Sequence, residues 1–247
     1  MPPNLKCKNC NQEISLQFCP VCGQRTSVGP LKFKTLLEEL ASLLFNADKS
    51  LWSTFKNMLT VPGKSIIEYL RGSRKKYLAP FNYFAASLTI YWLVAWFFFR
   101  SREKEIGEGI TMDLKILIIL LFGMSFIAWL ICGVKWGATR QRSYNFIEAV
   151  VVFCYIYGTN FLIAPVLVAF ELQVWPQLTG IVGRNNMKVV TDLPLIALIA
   201  YMAYQFCKAA HISKLKYYLT LLTGFLYYYY MLDVIDNLLK SLQKYFS

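Results

Sequence analysis

The sequence predicts an all-α integral membrane protein, a five-helix transmembrane bundle preceded by a small N-terminal cysteine ribbon. Three observations carry that reading. Apolar residues make up 56% of the chain and charged residues only 16%, whereas a soluble domain carries about 25% charged residues. The apolar residues fall in long runs, and roughly 20 such residues cross a bilayer. Four cysteines near the N-terminus form two CxxC pairs. This composition excludes an ordinary soluble enzyme and a disordered chain. With a single histidine, a His-ligated metal centre or a His relay is not expected.

In chain order the first unit is residues 1–29. Cys7-Lys-Asn-Cys10 and Cys19-Pro-Val-Cys22 are two knuckles with eight residues between them. Each CxxC turn presents two thiolates to one ion, and two such turns complete a tetrahedron. Pro20 and Gly23 suit tight turns that face amides toward the sulfurs. So short a segment has no core of its own, and a bound metal would supply its stability. Cys7, Cys10, Cys19 and Cys22 are therefore read as ligands of a closed, structural Zn²⁺ site. Disulfides are the main alternative, disfavoured on a reducing cytoplasmic side. A catalytic zinc needs an open position that four thiolates do not leave, and redox use of a CxxC wants a βαβ context that is not visible. The polar first 30 residues do not resemble a signal peptide.

Residues 30–79 read as amphipathic juxtamembrane helices. Phe33, Leu36, Leu37, Leu40, Leu43 and Leu44 recur at helical spacing, too few to span a bilayer. Leu51, Trp52, Phe55, Met58 and Leu59 repeat the pattern, with Asp48 or Ser50 as cap. Thr60-Val-Pro62-Gly63 interrupts it, and a short helix is expected over Lys64–Leu70. The cluster Arg71, Arg74, Lys75 and Lys76 follows just before the first span. Such clusters set topology and attract anionic headgroups, so these four residues are candidates for lipid-headgroup or partner contact.

Residues 80–247 hold the five spans, at about 81–99, 116–134, 146–170, 190–207 and 217–232. The fourth is the least clean, because a full span must reach back through Pro194 and Asp192. Charge supports the count. Residues 1–79 carry a net +7, and the segments 135–145 and 208–216 each hold three Lys/Arg and no acid, whereas 100–115, 171–192 and the tail after 232 are each balanced. Alternate segments thus sum to +13 and 0, which places the N-terminus in the cytoplasm and the C-terminus outside. Trp92, Trp96, Trp129, Trp136 and Trp175 lie in or near span ends, where aromatic belts form. Because topology accounts for the basic excess, no nucleic-acid partner is inferred from it.

Ionisable and polar groups inside spans are weighed as functional candidates. Asn145 and Glu148 have the spacing of a capping box. Thr159 and Asn160 lie beside Gly158 and Pro165, where a kink is expected; such groups line a cavity or hold helices together. Thr220, Thr223, Gly224, Tyr227 and Tyr228 share one face of the fifth span. Thr159, Asn160, Thr220, Thr223 and Tyr227 are therefore the candidate cavity lining. Glu171, Asp192, Asp233 and Asp236 fall at the outer edge, and His211 sits in a short inner loop. Cys132, Cys154 and Cys207 read as small core hydrophobes. There is no GxSxG, HExxH or P-loop and no acid pair in mid-membrane, and no inverted repeat is visible.

The order Cys7-x2-Cys10, Phe18-Cys19-x2-Cys22-Gly23-Gln24-Arg25, Thr60-Val-Pro62-Gly63, then Tyr69-Leu-Arg71-Gly72-x-Arg74-Lys75-Lys76-Tyr77 and Pro80 resembles bacterial membrane proteins grouped as domain of unknown function 3667. Asn11 stands where the family usually has glycine. The resemblance covers about the first 90 residues and implies a bacterial inner-membrane protein with a zinc ribbon, without an established reaction. Five spans with a cytoplasmic N-terminus are also similar to Yip-type trafficking proteins, in topology alone. The expected function is non-enzymatic: a ribbon that docks a cytoplasmic or membrane protein partner on a bilayer with anionic headgroups, as scaffold or regulator. The alternatives are a small-solute or ion transporter or channel with a path between the third and fifth spans, and third an intramembrane lipid-acting enzyme.

Overall fold

The computed structural model describes residues 5–14, 17–25, 51–99, 114–133, 144–182, 184–228 and 230. The stretch at Phe33–Leu44 and the tail acids Asp233 and Asp236 lie outside them, as do Lys135, Trp136, Arg140 and Arg142 and the side chains of Glu171, Trp175 and Asp192.

Two short antiparallel strands, β1 (Leu5–Lys6) and β2 (Glu13–Ile14), open the chain in the register Leu5↔Ile14 and Lys6↔Glu13. Beyond the ribbon, every regular element among the described residues is a helix. Helix α1 (Leu51–Thr60) ends at the expected break. Helix α2 (Pro62–Arg71) starts with Pro62 at its first position, where a missing N–H and a fixed φ are harmless. It stops at Gly72, whose φ of 115° lets Ser73 N–H reach the Glu68 carbonyl and Gly72 N–H the Tyr69 carbonyl, a Schellman close.

Helix α3 (Pro80–Val94) continues into a π turn at Ala95–Phe99, and α4 (Leu114–Ala128) into another at Trp129–Gly133. Helix α5 (Phe146–Val182) runs unbroken past Pro165 and beyond the expected limit at 170. Its apolar part ends there, but Glu171-Leu-Gln are good helix formers and the chain keeps winding. Helix α6 (Arg184–Ala209) likewise begins before residue 190 and carries Pro194 inside it. Helix α7 covers 214–228. Among the described residues one helical stretch, Phe146–Leu167, is long and apolar enough to cross a membrane, and Ile119–Gly133 and Leu193–Ala209 are shorter apolar helices.

Side-chain contacts fix the helix directions. On α3 and α5, Tyr83 meets Thr159 (3.0 Å) and Tyr91 packs on Phe161, so the two run parallel. On α4 and α7, Tyr227 donates to the Ile119 carbonyl while Cys132 touches Thr220, so these run antiparallel. Tyr144 N–H reaches the Gly133 carbonyl and its ring packs on Phe206. Residues 72–79, Gly133, Tyr144 and 209–213 therefore gather at one end of the bundle.

At that end α2 is buried, not laid out along a surface. Ser65, Ile66, Ile67, Tyr69 and Leu70 are all covered, with α6 as the principal neighbour. Gly63 allows the crossing: a Cβ there would land on the Gln205 carbonyl. A second glycine, Gly158, admits the Tyr83 ring between α3 and α5. Tyr69, Tyr83 and Tyr155 form a buried aromatic chain with centroids 5.6 and 5.7 Å apart. Their polar ends are used locally. Tyr155 donates to the Leu78 carbonyl at 2.7 Å, while Leu78 N–H donates to Thr54 Oγ1 at 3.0 Å, so both backbone groups leading into α3 are held. The amphipathic face of α2 thus packs on the bundle.

Gly63→Val should force α2 away from α6. Overpacking of this kind costs about 1–3 kcal/mol, so the variant is expected to unfold at a clearly lower temperature in detergent, whereas Gly23→Ala, which meets no neighbouring atom but requires a positive φ, should act on the ribbon alone. Thermal melts of both variants check this.

Candidate metal centre

The ribbon is built from two knuckles of the same plan. In the first, Cys7 N–H bonds the Gln12 carbonyl (2.8 Å) and Asn11 N–H the Cys7 carbonyl (2.9 Å); in the second, Cys19 N–H bonds the Gln24 carbonyl (2.8 Å) and Gly23 N–H the Cys19 carbonyl (2.8 Å). The flanking pairs Lys6↔Glu13 and Phe18↔Arg25 also correspond. The residue after each second cysteine is left-handed, Asn11 at φ 60° and Gly23 at φ 67°. Asparagine tolerates that region better than other residues with a Cβ, which is why Asn11 can replace glycine without disturbing the ligands.

Cys7 Sγ lies 3.6 Å from Cys22 Sγ, and Cys10 Sγ 3.6 Å from Cys19 Sγ; all four sulfurs lie within 4.8 Å of one another. A tetrahedral tetrathiolate with metal–sulfur bonds of about 2.3 Å has edges of about 3.8 Å. A disulfide would need about 2.05 Å, and all four cysteines are free. The four thiols therefore fit one ion. Cys7 and Cys19 are buried, whereas Cys10 is exposed. Burial raises the Cys22 thiol, but the Gln24 amide N–H, the Asn9 side chain and the Cys10 and Cys7 thiols hold it down to about 6. Cys10 moves up to about 12: the Gln12 amide lowers it, and burial with the thiols of Cys19, Cys22 and Cys7 raises it more.

Each knuckle also takes one hydrogen bond from the turn after α2. The Ser73 hydroxyl donates to the carbonyl of Lys8, inside the first knuckle. Lys75 N–H donates to Oε1 of Gln24, buried behind the second, at 3.1 Å. The ribbon is thereby seated on the basic cluster. Within that cluster Lys76 is engaged locally: its Nζ is 2.8 Å from Glu68 Oε2 and 5.3 Å from the Tyr77 ring centroid. Burial raises the Glu68 carboxyl, but hydrogen bonds from Lys76 and Tyr77 and the charges of Lys76 and Lys64 hold it below its ordinary value. Arg74 is half-buried, while Arg71 and Lys75 are exposed.

The expected cavity-lining residues do not meet in one place. Thr159 Oγ1 bonds the Tyr83 hydroxyl and the Tyr155 carbonyl. Asn160 Nδ2 donates to the Ile156 carbonyl, and its buried Oδ1 has no partner. Thr220 and Thr223 donate back to Lys216 and Leu219. Tyr227 crosses to α4, where its hydroxyl bonds Ile119 and its ring lies over Gly123. A small cavity of about 60 Å³ between α4, α5, α6 and α7 takes Thr220 alone of the five, among largely apolar side chains. Glu148 lines it too, and the capping box is present: Asn145 N–H to Glu148 Oε2 at 3.1 Å and Glu148 N–H to Asn145 Oδ1 at 2.7 Å.

Residues 48–92 match the model of a family described as a protein of unknown function (DUF3667), the family that the motifs resemble. The match begins after the ribbon and covers α1, α2, the basic turn and most of α3. No curated protein and no solved structure matches the chain.

From the sequence Gly63 is only part of a break between helices, and Ser73 and Gln24 have no contact assigned to them. A signal for Gln24 existed, since Gln12 and Gln24 hold equivalent positions in the two knuckles, but only the second faces the turn.

The purified protein should carry one ion per chain bound by four thiolates, read by metal analysis and by the thiolate charge-transfer bands of a cobalt-substituted sample. Protons compete for the ligands. Cys22 is a thiolate above about 6 and is protonated below it, so retention of the ion should fall as the pH drops through that value.

Proposed function

We propose that the chain is a multi-pass protein of the bacterial inner membrane whose cytoplasmic ribbon, closed around a structural zinc ion, docks a partner protein at the base of the helical bundle. The observation that carries this reading is the two-sidedness of the ribbon. Its inner side is bonded through Lys8 and Gln24 to Ser73 and Lys75. Its outer side leaves Phe18 54% and Val21 69% exposed on the second knuckle. Four thiolates leave no coordination position for a reacting water, which favours binding over catalysis.

The membrane assignment has its own support. Trp92, Trp96, Phe122, Phe126, Leu193 and Phe225 are exposed along the helices, and a soluble monomer rarely exposes so extended an apolar surface. The gathering of residues 72–79, Gly133, Tyr144 and 209–213 at one end is what five alternating spans require. Among the described residues Arg71, Arg74, Lys75, Lys76 and Lys208 lie at or beside that end, as expected for the cytoplasmic side. The family match favours a bacterial membrane protein through the resemblance set out above.

The transport reading rests on Asn160, whose Oδ1 is buried and unpartnered and would suit a solute passing along α5. The docking reading is favoured because Thr159, Thr220 and Thr223 are bonded within the bundle.

The test is site-specific photo-cross-linking in cells from Val21 and, as control, from Lys56 on α1. A defined adduct is expected from Val21 and none from Lys56. It should disappear in Cys19→Ser/Cys22→Ser, with the helices still inserted in a carbonate-washed membrane fraction. An adduct that persists in the double variant would refute docking by the ribbon.

A further inference from the structure

We infer that the cleft between the end of α2 and the turn after α6 binds a phosphate group. The cleft has a volume of about 70 Å³ and is walled by Ile67, Leu70, Ala209 and Ala210, with Arg71, His211 and Tyr144 also lining it. That is room for several water molecules, hence for a tetrahedral oxyanion. Two residues with nitrogen-bearing side chains line it from separate elements, Arg71 with a guanidinium suited to bidentate phosphate binding and His211 with an imidazole.

Among the described residues, no acidic one lines the cleft. The carboxylate nearest in sequence, Glu68, is bonded to Lys76 and Tyr77. His211 occupies its position at a conformational cost. Its φ is 56°, in the region where glycine is the ordinary choice. It closes α6 as glycine would, with Ile212 N–H on the Cys207 carbonyl and His211 N–H on that of Lys208. Arg71 alone is explained by the negative end of α2. Here, however, backbone N–H groups already meet the Glu68 and Tyr69 carbonyls of α2 and the Phe206, Cys207 and Lys208 carbonyls of α6, and the two residues share one cleft.

The chemistry is that of a phosphate monoester or diester, carried by an anionic phospholipid or free in the cytoplasm. The lipid source rests on the membrane reading above, because only then does the cleft lie at the level of the inner headgroups, where basic sites between helices recognise anionic lipids. The apolar walls favour a lipid, whose acyl chains would cover them.

The experiment is native mass spectrometry of the full chain in mild detergent, titrated with phosphatidylglycerol, phosphatidylcholine or inorganic phosphate. Wild type, Arg71→Gln, His211→Asn and the control Lys56→Gln are compared. Asparagine tolerates the left-handed backbone at 211, and thermal melts confirm that each variant is folded. Wild type and control should retain phosphatidylglycerol in preference to phosphatidylcholine. Arg71→Gln should lose about fivefold, the order expected for one Lys/Arg charge near the headgroups, and His211→Asn should weaken retention as well, through the lost imidazole hydrogen bond. Adducts of inorganic phosphate, weakened by the same two substitutions and without lipid preference, would assign the site to a free phosphate. Phosphatidylglycerol held equally by all four proteins, with no phosphate adduct, would overturn the inference. Carbonate extraction of the same samples reads membrane insertion separately, so failure of the membrane reading is distinguishable from failure of the site.

Discussion

The close crossing of α2 over α6 at Gly63 is the constraint on which the rest of this end of the molecule depends. Because no Cβ stands between Gly63 and the Gln205 carbonyl, α2 lies deep enough to bury Ile66, Tyr69 and Leu70. Its depth places Tyr69 against Tyr155, and Tyr155 in turn holds the Leu78 carbonyl at the entry to α3. The turn after α2 is fixed by the same packing, so the ribbon has a rigid seat. Pro62 contributes the matching half: it starts the helix at the residue before the crossing and itself has no N–H to be left uncapped there. The segment matched by the family model, residues 48–92, is largely this wedge and the helix it leads into.

Much of the local structure was legible in the sequence. The CxxC spacing identified four sulfurs that do converge. Asn145 and Glu148 form the expected box, since a capping box involves only residues three apart. The break at Thr60–Gly63 and the helices on either side followed from proline and periodicity. What periodicity could not distinguish was the surface that covers an amphipathic face. Ile66, Ile67 and Leu70 give the same pattern whether they meet headgroups or another helix, and here they meet α6. Nor does a run of basic residues show which are engaged: Lys76 pairs with Glu68, eight positions earlier, a partner that only the Schellman turn brings near.

The hydroxyl stripe of α7 shows the same limit at the candidate site. Thr220 and Thr223 share a face, as spacing requires, but each satisfies itself on a carbonyl one turn earlier, an option open to threonine in any helix. A stripe of hydroxyls therefore carries little information about a path. Tyr227 could not be placed by sequence at all, because its partners, Ile119 and Gly123, lie more than a hundred residues away.

The two tethers between ribbon and turn have a thermodynamic consequence. Lys8 and Gln24 belong to different knuckles, and it is the shared ion that would hold them at a fixed separation. With that separation fixed, forming one hydrogen bond to the turn raises the effective concentration of the other, and the pair behaves as a bidentate ligand. Linkage then runs in both directions: an ion that preorganises the ribbon strengthens its hold on Ser73 and Lys75, and the seated turn strengthens the hold on the ion by the same factor. The affinity of the metal centre is in this sense partly a property of residues distant in the chain, in the turn between α2 and α3.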